Sequence, residues 1–214
     1  MKFDGSYKNI ESEKFGLRYF DEWCNIASNE PDRFIFASSG EEACSSQKGG
    51  KRMEDFVLKD VRMTAAGPAA TVEITRESKR NALNSEVLHQ LCQCFDRILE
   101  ERDLRVAVIT GAGSRAFAAG ADLGEIPEKR GEEELREYYS LFDTLYRKMA
   151  EVPQPVIARV SGYAMGGGCL LALAADLVVA TERSVFCQPE VSFGFTGGAA
   201  LLPRLIGRHR AAEI

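Results

Sequence analysis

The sequence predicts an α/β fold in which helices cover a mainly parallel sheet. From residue 53 onward, apolar runs of β-type composition alternate with segments whose apolar residues recur at helical spacing, which is the pattern of α/β layers. Two of the runs, at 105–111 and 156–160, are apolar nearly throughout, as expected of parallel strands buried on both faces. A chain of 214 residues with 45% hydrophobic residues is long enough to bury the core of such a fold.

The first half of this pattern contains a hairpin, a helix and a strand. The run at 56–76 predicts two strands joined around Gly67 and Pro68. The loop SKRNALN follows, and Asn84 or Ser85 can cap the N-terminus of a helix. The apolar residues of that helix recur at helical spacing and are Val87, Leu88, Leu91, Phe95, Ile98 and Leu99. The strand at 105–111 comes next.

The second half contains a helix, a strand and a glycine cluster. Proline residues end the helix predicted at 132–151, and the strand at 156–160 follows them. The three glycines at 166–168 then precede a helical segment at 169–175, and glycine is a costly residue with which to begin a helix. The start of a helix has unpartnered N–H groups and a partial positive charge, which suit an oxygen that becomes anionic. The alternative is that the glycines only let helix and strand pack closely.

Composition excludes several classes of partner. The net charge is −5 and no basic block interleaves with aromatic residues, so we expect no nucleic-acid partner. The longest apolar run, at 169–175, is far shorter than the about 20 residues that span a bilayer, and the N-terminus has no apolar signal core. We therefore expect no membrane partner and a cytoplasmic location. The six cysteines lack metal-ligand spacing, so we expect no metal site.

Residues 1–52 differ from the rest of the chain. They are polar and lack sustained apolar periodicity, whereas regular patterning begins at Met53. We interpret 1–52 as an N-terminal appendage or leader, and 53–214 as the domain that carries the chemistry. Whether the appendage is native protein stays open, because the codons of the run before Met53 can contain a purine-rich stretch like a bacterial ribosome-binding site.

The segment GAGSRA, at 111–116, fits the dinucleotide-binding pattern G-x-G-x-x-A and follows a predicted strand. That fingerprint requires a helix directly afterwards and a second strand with an acidic residue about 20 residues further on. Gly120 interrupts any such helix, and the next strand begins only at 156. We therefore do not expect a dinucleotide site here.

Four segments, taken in order, resemble the crotonase family of enoyl-CoA hydratases and isomerases: RESKRNALN at 76–84, AFAAGADL at 116–123, GYAMGGGCLLALAAD at 162–176 and FCQPEVSFG at 186–194. The resemblance implies a repeated β-β-α superhelix and a place in fatty acid metabolism. It also implies an acyl-CoA thioester bound between two glycine-containing loops, with no separate cofactor because coenzyme A is part of the substrate. Family members are usually trimeric, which implies a homotrimer or hexamer where the family's C-terminal region is present.

The same resemblance assigns roles to residues. The backbone N–H groups of Ala121 and Gly167 are the two donors to the thioester oxygen, and fixed donors in a dry site stabilise an oxygen that gains charge. Glu190 is the acid and base, and its neighbours in sequence, Phe186, Val191, Phe193 and Phe195, would exclude water from it. Coenzyme A is expected against Arg80, Ala82, Leu83, Ala119, Asp122 and Leu123. For Arg80 a solvated loop charge is the alternative.

Leu170 departs from the family pattern. It lies where the family's hydratases have a second glutamate, and it should face the reacting carbons of the thioester. A single carboxylate can take a proton from one carbon and return it to another, whereas hydration also needs help with water. We therefore predict an enoyl-CoA isomerase, with a hydratase as the alternative. The family continues for several tens of residues beyond the position of Ile214, which leaves a non-catalytic acyl-CoA-binding remnant as a third hypothesis.

Overall fold

The computed structural model describes residues 55–126, 131–193, 198 and 201–213, so the predicted appendage at 1–52 lies outside the described residues. The strands are β1 (Phe56–Val57), β2 (Val61–Ala66), β3 (Ala69–Ile74), β4 (Val106–Gly111), β5 (Ala116–Ala118), β6 (Val156–Val160), β7 (Tyr163–Met165), β8 (Leu177–Ala180) and β9 (Val185–Cys187). The helices are α1 (Ser85–Glu100), α2 (Glu132–Glu151), α3 (Gly167–Leu173), α4 (Leu202–Ile206) and α5 (Arg208–Ala211). Short 3₁₀ helices lie at Glu77–Lys79 and Pro189–Phe193.

The nine strands of the described residues form two sheets. The larger has the order β1-β2-β3-β4-β6-β8, and its strands are antiparallel up to β3 and parallel from there on. The smaller has the order β5-β7-β9 and is parallel throughout. The pairs β4–β5, β6–β7 and β8–β9 therefore each add one strand to each sheet, and a helix follows the first two pairs. The predicted α/β class and the repeated β-β-α superhelix are confirmed.

The predicted hairpin is β2 and β3, which pair from Val61 opposite Ile74 to Ala66 opposite Ala69. Gly67 in the connecting turn has φ +58°, a conformation that glycine adopts without steric cost. Further on, the GAGSRA segment joins β4 directly to β5. The helix that the dinucleotide-binding fingerprint requires therefore does not follow it.

Helix α1 starts at the predicted cap. The Asn84 side chain accepts a hydrogen bond from the Val87 N–H at 2.9 Å, which satisfies one of the free donors of the first turn. Ile98 is fully buried, whereas Leu99 exposes 46% of its surface. Adjacent helix positions point about 100° apart, so only one of these two can face the sheet. Leu99 therefore does not belong to the buried face on which the sequence pattern placed it.

Helix α2 has the predicted bounds and packs against α1. Its buried stripe consists of Tyr138, Phe142, Leu145 and Met149, all predicted from the spacing, while Leu135 is half-buried. The glycine cluster precedes α3, which packs against β5, β6 and β7. No helix in the described part of the chain has the length and apolar character needed to cross a membrane.

Candidate active site

Two backbone segments meet where α3 begins. A Cβ placed on Gly120 would lie 2.7 Å from the carbonyl oxygen of Met165 and 3.4 Å from the backbone nitrogen of Gly167. Gly120 also has φ +92°, so a side chain here would be both strained and crowded. Because Ala121 directly follows Gly120, the two predicted donors belong to segments in van der Waals contact.

Both predicted donors have N–H groups that the fold leaves available. The segment of Ala121 forms a parallel bridge with Leu83, in which the Leu83 N–H donates to Gly120 O at 2.8 Å and the Asp122 N–H donates to Leu83 O at 3.2 Å. Successive N–H groups of an extended segment point to opposite sides, so that of Ala121 points away from this bridge. Gly167 is the first residue of α3, and its N–H has no partner within the helix. Among the described residues, neither N–H donates to a backbone carbonyl.

Each of the three glycines of the cluster lies against a different group. A Cβ on Gly166 would be 2.6 Å from Oε1 of Glu190, one on Gly167 would be 2.8 Å from Cε1 of Phe142, and one on Gly168 would be 2.2 Å from the carbonyl oxygen of Ala118. Gly168 therefore explains the close packing of α3 on β5, which was the alternative interpretation. At Gly166 the missing side chain instead lets the carboxylate of Glu190 approach the backbone.

Glu190 lies in the 3₁₀ helix Pro189–Phe193, with its carboxylate against Gly166. Its Oε2 atom is buried and has no hydrogen-bond partner among the described residues. A buried carboxylate oxygen without a donor is costly for a purely structural residue. Phe186 is half-buried and packs against the core. The side chains of the other three predicted neighbours, Val191, Phe193 and Phe195, lie outside what the structure describes.

Helix α2 supplies side chains that sequence analysis did not assign to the site. The ring of Phe142 contacts Gly167, and the Tyr146 hydroxyl donates to the Gly167 carbonyl at 3.3 Å. Burial raises the pKa of Tyr146, and the charges of Asp143 and Glu190 are among the groups that add to the shift. The phenol therefore stays a neutral donor. The four-residue spacing of Phe142 and Tyr146 on one helix face was the available signal.

Comparison with known proteins places this geometry in a family. A family model described as "Enoyl-CoA hydratase/isomerase" matches residues 65–214. The chain belongs to the enoyl-CoA hydratase/isomerase family. The resemblance stated from the four sequence segments is therefore confirmed.

Three relatives illustrate the extent of the match. The short-chain-enoyl-CoA hydratase of Clostridium acetobutylicum is 36% identical over 160 residues, covering 73% of this chain and 61% of that protein. The 2,3-dehydroadipyl-CoA hydratase of Escherichia coli is 41% identical over 147 residues, covering 66% and 55%. The crystal structure of an enoyl-CoA hydratase from Bacillus anthracis has a TM-score of 0.69 at 36% identity, covering 72% and 61%. The chain thus spans 55% to 61% of the length of these relatives.

Leu170 lies one helical turn after Gly166, and its N–H donates to Gly166 O at 3.0 Å. Leu170 thus belongs to the first turn of α3, and Glu190 contacts the residue that caps this turn, Gly166. A Cβ placed on Gly198 would be 3.0 Å from Cδ2 of Leu170 and 3.4 Å from Cδ of Gln188. The half-buried leucine thus gives this part of the candidate site a hydrocarbon surface beside one amide.

The residues predicted to contact coenzyme A lie on two adjacent segments. The Ala119 N–H donates to Arg80 O at 3.0 Å, which joins the NALN loop to the segment after β5. Arg80 is exposed and Leu123 exposes 68% of its surface, so both are open to a ligand. Leu83 is fully buried and Ala82 is nearly so. The backbone groups of both residues are also engaged within the protein, since the Leu83 carbonyl accepts from the Tyr138 hydroxyl and the Ala82 carbonyl accepts from Arg76.

A charged cluster centred on Arg76 holds the two segments together. The Arg76 guanidinium donates to Ala82 O at 2.7 Å and to Oδ2 of Asp122 at 3.0 Å, and its Nε lies 3.9 Å from Oδ1 of Asp60. The side chains of Arg76 and Asp122 are only 14% and 19% exposed. The carboxylate of Asp122, predicted as a coenzyme A contact, is therefore engaged within the protein, next to the donor Ala121. Sequence analysis gave Arg76 no role, since Asp122 is 46 residues away.

We expect Arg76→Met to lower the free energy of unfolding by about 2–3 kcal/mol, because it leaves Asp122 with a largely buried charge and without its cation. Arg62→Met is the matched control. Arg62 pairs with Glu73 on the surface, and its side chain is 50% exposed. That change should cost less than about 1 kcal/mol. Denaturant unfolding of both variants measures the difference, and equal losses would show that the Arg76 cluster does not hold the two segments.

The structure brings together the predicted donors Ala121 and Gly167 and the predicted base Glu190. Leu170, which was predicted to face the reacting carbons, lies in the first turn of α3 beside them. Within the described residues there is no group of three or more His, Cys, Asp or Glu side chains that could hold a metal ion. The arrangement consists of two backbone donors and one carboxylate. It can stabilise a carbonyl oxygen that becomes negative while a proton moves at a neighbouring carbon.

Proposed function

We propose that the chain binds an acyl-CoA thioester and stabilises its enolate, with the N–H groups of Ala121 and Gly167 as donors and Glu190 as acid and base. The preferred reaction is isomerisation of the double bond of an enoyl-CoA. No separate cofactor is required, because coenzyme A belongs to the substrate. We also propose the homotrimeric or hexameric assembly and the cytoplasmic location that the sequence analysis leads us to expect.

The position of Glu190 carries this proposal. Its carboxylate lies against Gly166, next to the Gly167 N–H, and has a buried oxygen without a partner among the described residues. In isomerisation of a 3-enoyl-CoA, the carboxylate takes a proton from C2, and the negative charge passes to the thioester oxygen. The same proton then returns at C4, so that the double bond moves to C2–C3. Each step uses one carboxylate and the two backbone donors, and no further proton carrier is needed.

Leu170 supports isomerisation over hydration. Its side chain cannot transfer a proton or hold water, and it lies in the first turn of α3, whose cap residue Gly166 is in contact with Glu190. An apolar wall lowers the access of water to the reacting carbons, so the proton on Glu190 returns to the substrate. The double bond is therefore moved by proton transfer alone, without the addition of water.

Hydration is the second candidate, and the names of the relatives favour it. The relatives from Clostridium acetobutylicum and Escherichia coli are both called hydratases. In hydration the oxygen of water joins C3 and a proton is delivered to C2. Glu190 would then serve alone where the family pattern has two glutamates.

The decisive experiment incubates the protein with matched 2-enoyl-CoA and 3-enoyl-CoA thioesters and separates hydrated, isomerised and unchanged products. Conversion of 3-enoyl-CoA to 2-enoyl-CoA supports the isomerase. Efficient hydration of 2-enoyl-CoA without isomerisation would replace it by the hydratase. Tight thioester binding without any product would indicate the acyl-CoA-binding remnant.

Leu170→Glu should raise the ratio of hydrated to isomerised product by at least about tenfold, since a second carboxylate can hold and deprotonate water. Leu99→Glu is the control for an added charge, because Leu99 lies exposed on α1. It should leave the product ratio unchanged. An unchanged ratio in a folded, thioester-binding Leu170→Glu protein would show that position 170 does not face the reacting carbons.

A further inference from the structure

The peptide unit between Gly166 and Gly167 carries one of the two proposed donors to the thioester oxygen. Its N–H is that of Gly167, and its carbonyl is that of Gly166. Gly166 has φ +50° and ψ −122°, a combination that side-chain-bearing residues rarely adopt. The orientation of this peptide is therefore not the one that a regular helix start would impose, and its surroundings must fix it.

Gln188 holds the carbonyl side of this peptide. Its Nε2 donates to Gly166 O at 3.1 Å, and the Leu170 N–H donates to the same oxygen at 3.0 Å. The Leu170 N–H alone would satisfy the carbonyl as a buried acceptor. The hydrogen bond from Gln188 is thus a second bond to Gly166 O, and the carbonyl does not need it to be paired.

The oxygen of the Gln188 amide has a different environment from its nitrogen. Its Oε1 is buried and has no hydrogen-bond partner among the described residues. A buried acceptor without a donor disfavours an amide relative to a hydrocarbon side chain of the same length. Stability alone therefore favours a residue such as methionine at this position. The amide also interacts with the Cys169 thiol and lowers the pKa of that thiol against the larger effect of burial. The remaining polar contact of the amide is the hydrogen bond from its Nε2 group to Gly166 O.

We propose that Gln188 is a positioning residue of the oxyanion site, acting through the Gly166–Gly167 peptide. A donor on the carbonyl side fixes the plane of the peptide and polarises it, which strengthens the N–H on the opposite side as a donor. The Gly167 N–H is then aimed at the thioester oxygen before substrate binds. This inference rests on the proposed function, because it requires that a thioester oxygen occupy the site.

The test uses butyryl-CoA, a saturated thioester, with a carbon-13 label at its carbonyl carbon. Hydrogen bonds to a carbonyl lower its infrared stretching frequency, so the shift on binding to the full chain measures the donors directly. We expect Gln188→Met to lose at least about a tenth of the parent's shift, since neighbouring hydrogen bonds strengthen one another by about 10–30%. Turnover of enoyl-CoA should fall about tenfold or more through misplacement of the donor, and KM should change less than kcat.

Gln154→Met is the matched control. Gln154 is also a buried glutamine whose Nε2 donates to a backbone carbonyl, that of Glu101 at 3.1 Å, and whose Oε1 has no partner among the described residues. It lies between β6 and the end of α1, away from the glycine cluster. A merely structural role of Gln188 would make both variants change thermal stability while leaving the infrared shift and kcat alone.

The outcomes separate the two proposals. A parent protein that neither shifts the butyryl-CoA carbonyl nor turns over enoyl-CoA overturns the proposed function, and the role of Gln188 with it. A normal parent with an equally normal Gln188→Met overturns only the role of Gln188. If Gln188→Met does not fold, Gln188→Asn replaces it, because its amide is one methylene too short to reach Gly166 O. A full carbonyl shift and full kcat in that variant would equally refute the inference.

Discussion

Replacing Glu190 by glutamine is expected to lower turnover by about 10²–10⁴-fold, the contribution typical of a general acid or base. The amide has nearly the shape of the carboxylate, so it should occupy the same space against Gly166. It cannot accept the proton from C2, and the enolate therefore cannot form. Thioester binding should persist because the two backbone donors and the coenzyme A segments are untouched. Calorimetry and a turnover assay on one preparation measure both quantities.

Glu182→Gln is the control for this change. Glu182 is exposed between β8 and β9, so losing its charge should alter neither binding nor turnover. Unchanged turnover in Glu190→Gln would remove Glu190 from the mechanism. Loss of binding together with turnover would instead show that the carboxylate holds the site in shape.

The features that the sequence predicted and the structure shows are those with a local physical cause. Glycine at 166–168 indicates backbone that something approaches closely, and the structure has such a neighbour at each of these three positions. The cap at Asn84 was likewise predictable, because a capping side chain bonds within its own turn. In both cases the physical cause lies within a few residues of the signal.

The second sheet could not be predicted in the same way. Strands β5, β7 and β9 have three residues each, too few to display a period of two. The strands with which they pair lie at least 20 residues away in sequence. Each short strand is therefore stabilised by a partner that its own residues do not indicate. These short strands nevertheless position the site, because β5 leads into the segment of Ala121 and β7 leads into the glycine cluster.

Contacts between residues far apart in the sequence also could not be predicted. The resemblance predicts a coenzyme A contact for Asp122, but it gives no sign that the carboxylate also pairs with Arg76, 46 residues away. Gln188 stood inside a quoted motif without a role, since its bond to Gly166 crosses 22 residues. A residue type indicates what a side chain can do, and only the fold determines which group it meets.

Gly166→Ala should lower kcat/KM at least about 100-fold, for two separable reasons. The first is strain, because φ +50° with a side chain costs about 1–3 kcal/mol. The second is displacement, because the new Cβ would lie 2.6 Å from Oε1 of Glu190 and would push the carboxylate away. A shift of about 1 Å at a reacting group is enough to cost roughly 10²-fold in rate.

Gly67→Ala isolates the strain term. Gly67 has φ +58° in the turn between β2 and β3, and a Cβ there would meet no atom within 4 Å. Both variants should therefore lose stability in denaturant unfolding, while only Gly166→Ala should lose activity beyond what its unfolded fraction explains. If the two variants, compared at equal folded fraction, turned over enoyl-CoA equally well, the carboxylate of Glu190 would not need its place against Gly166. The arrangement of Glu190 beside the Gly167 donor would then have no catalytic consequence.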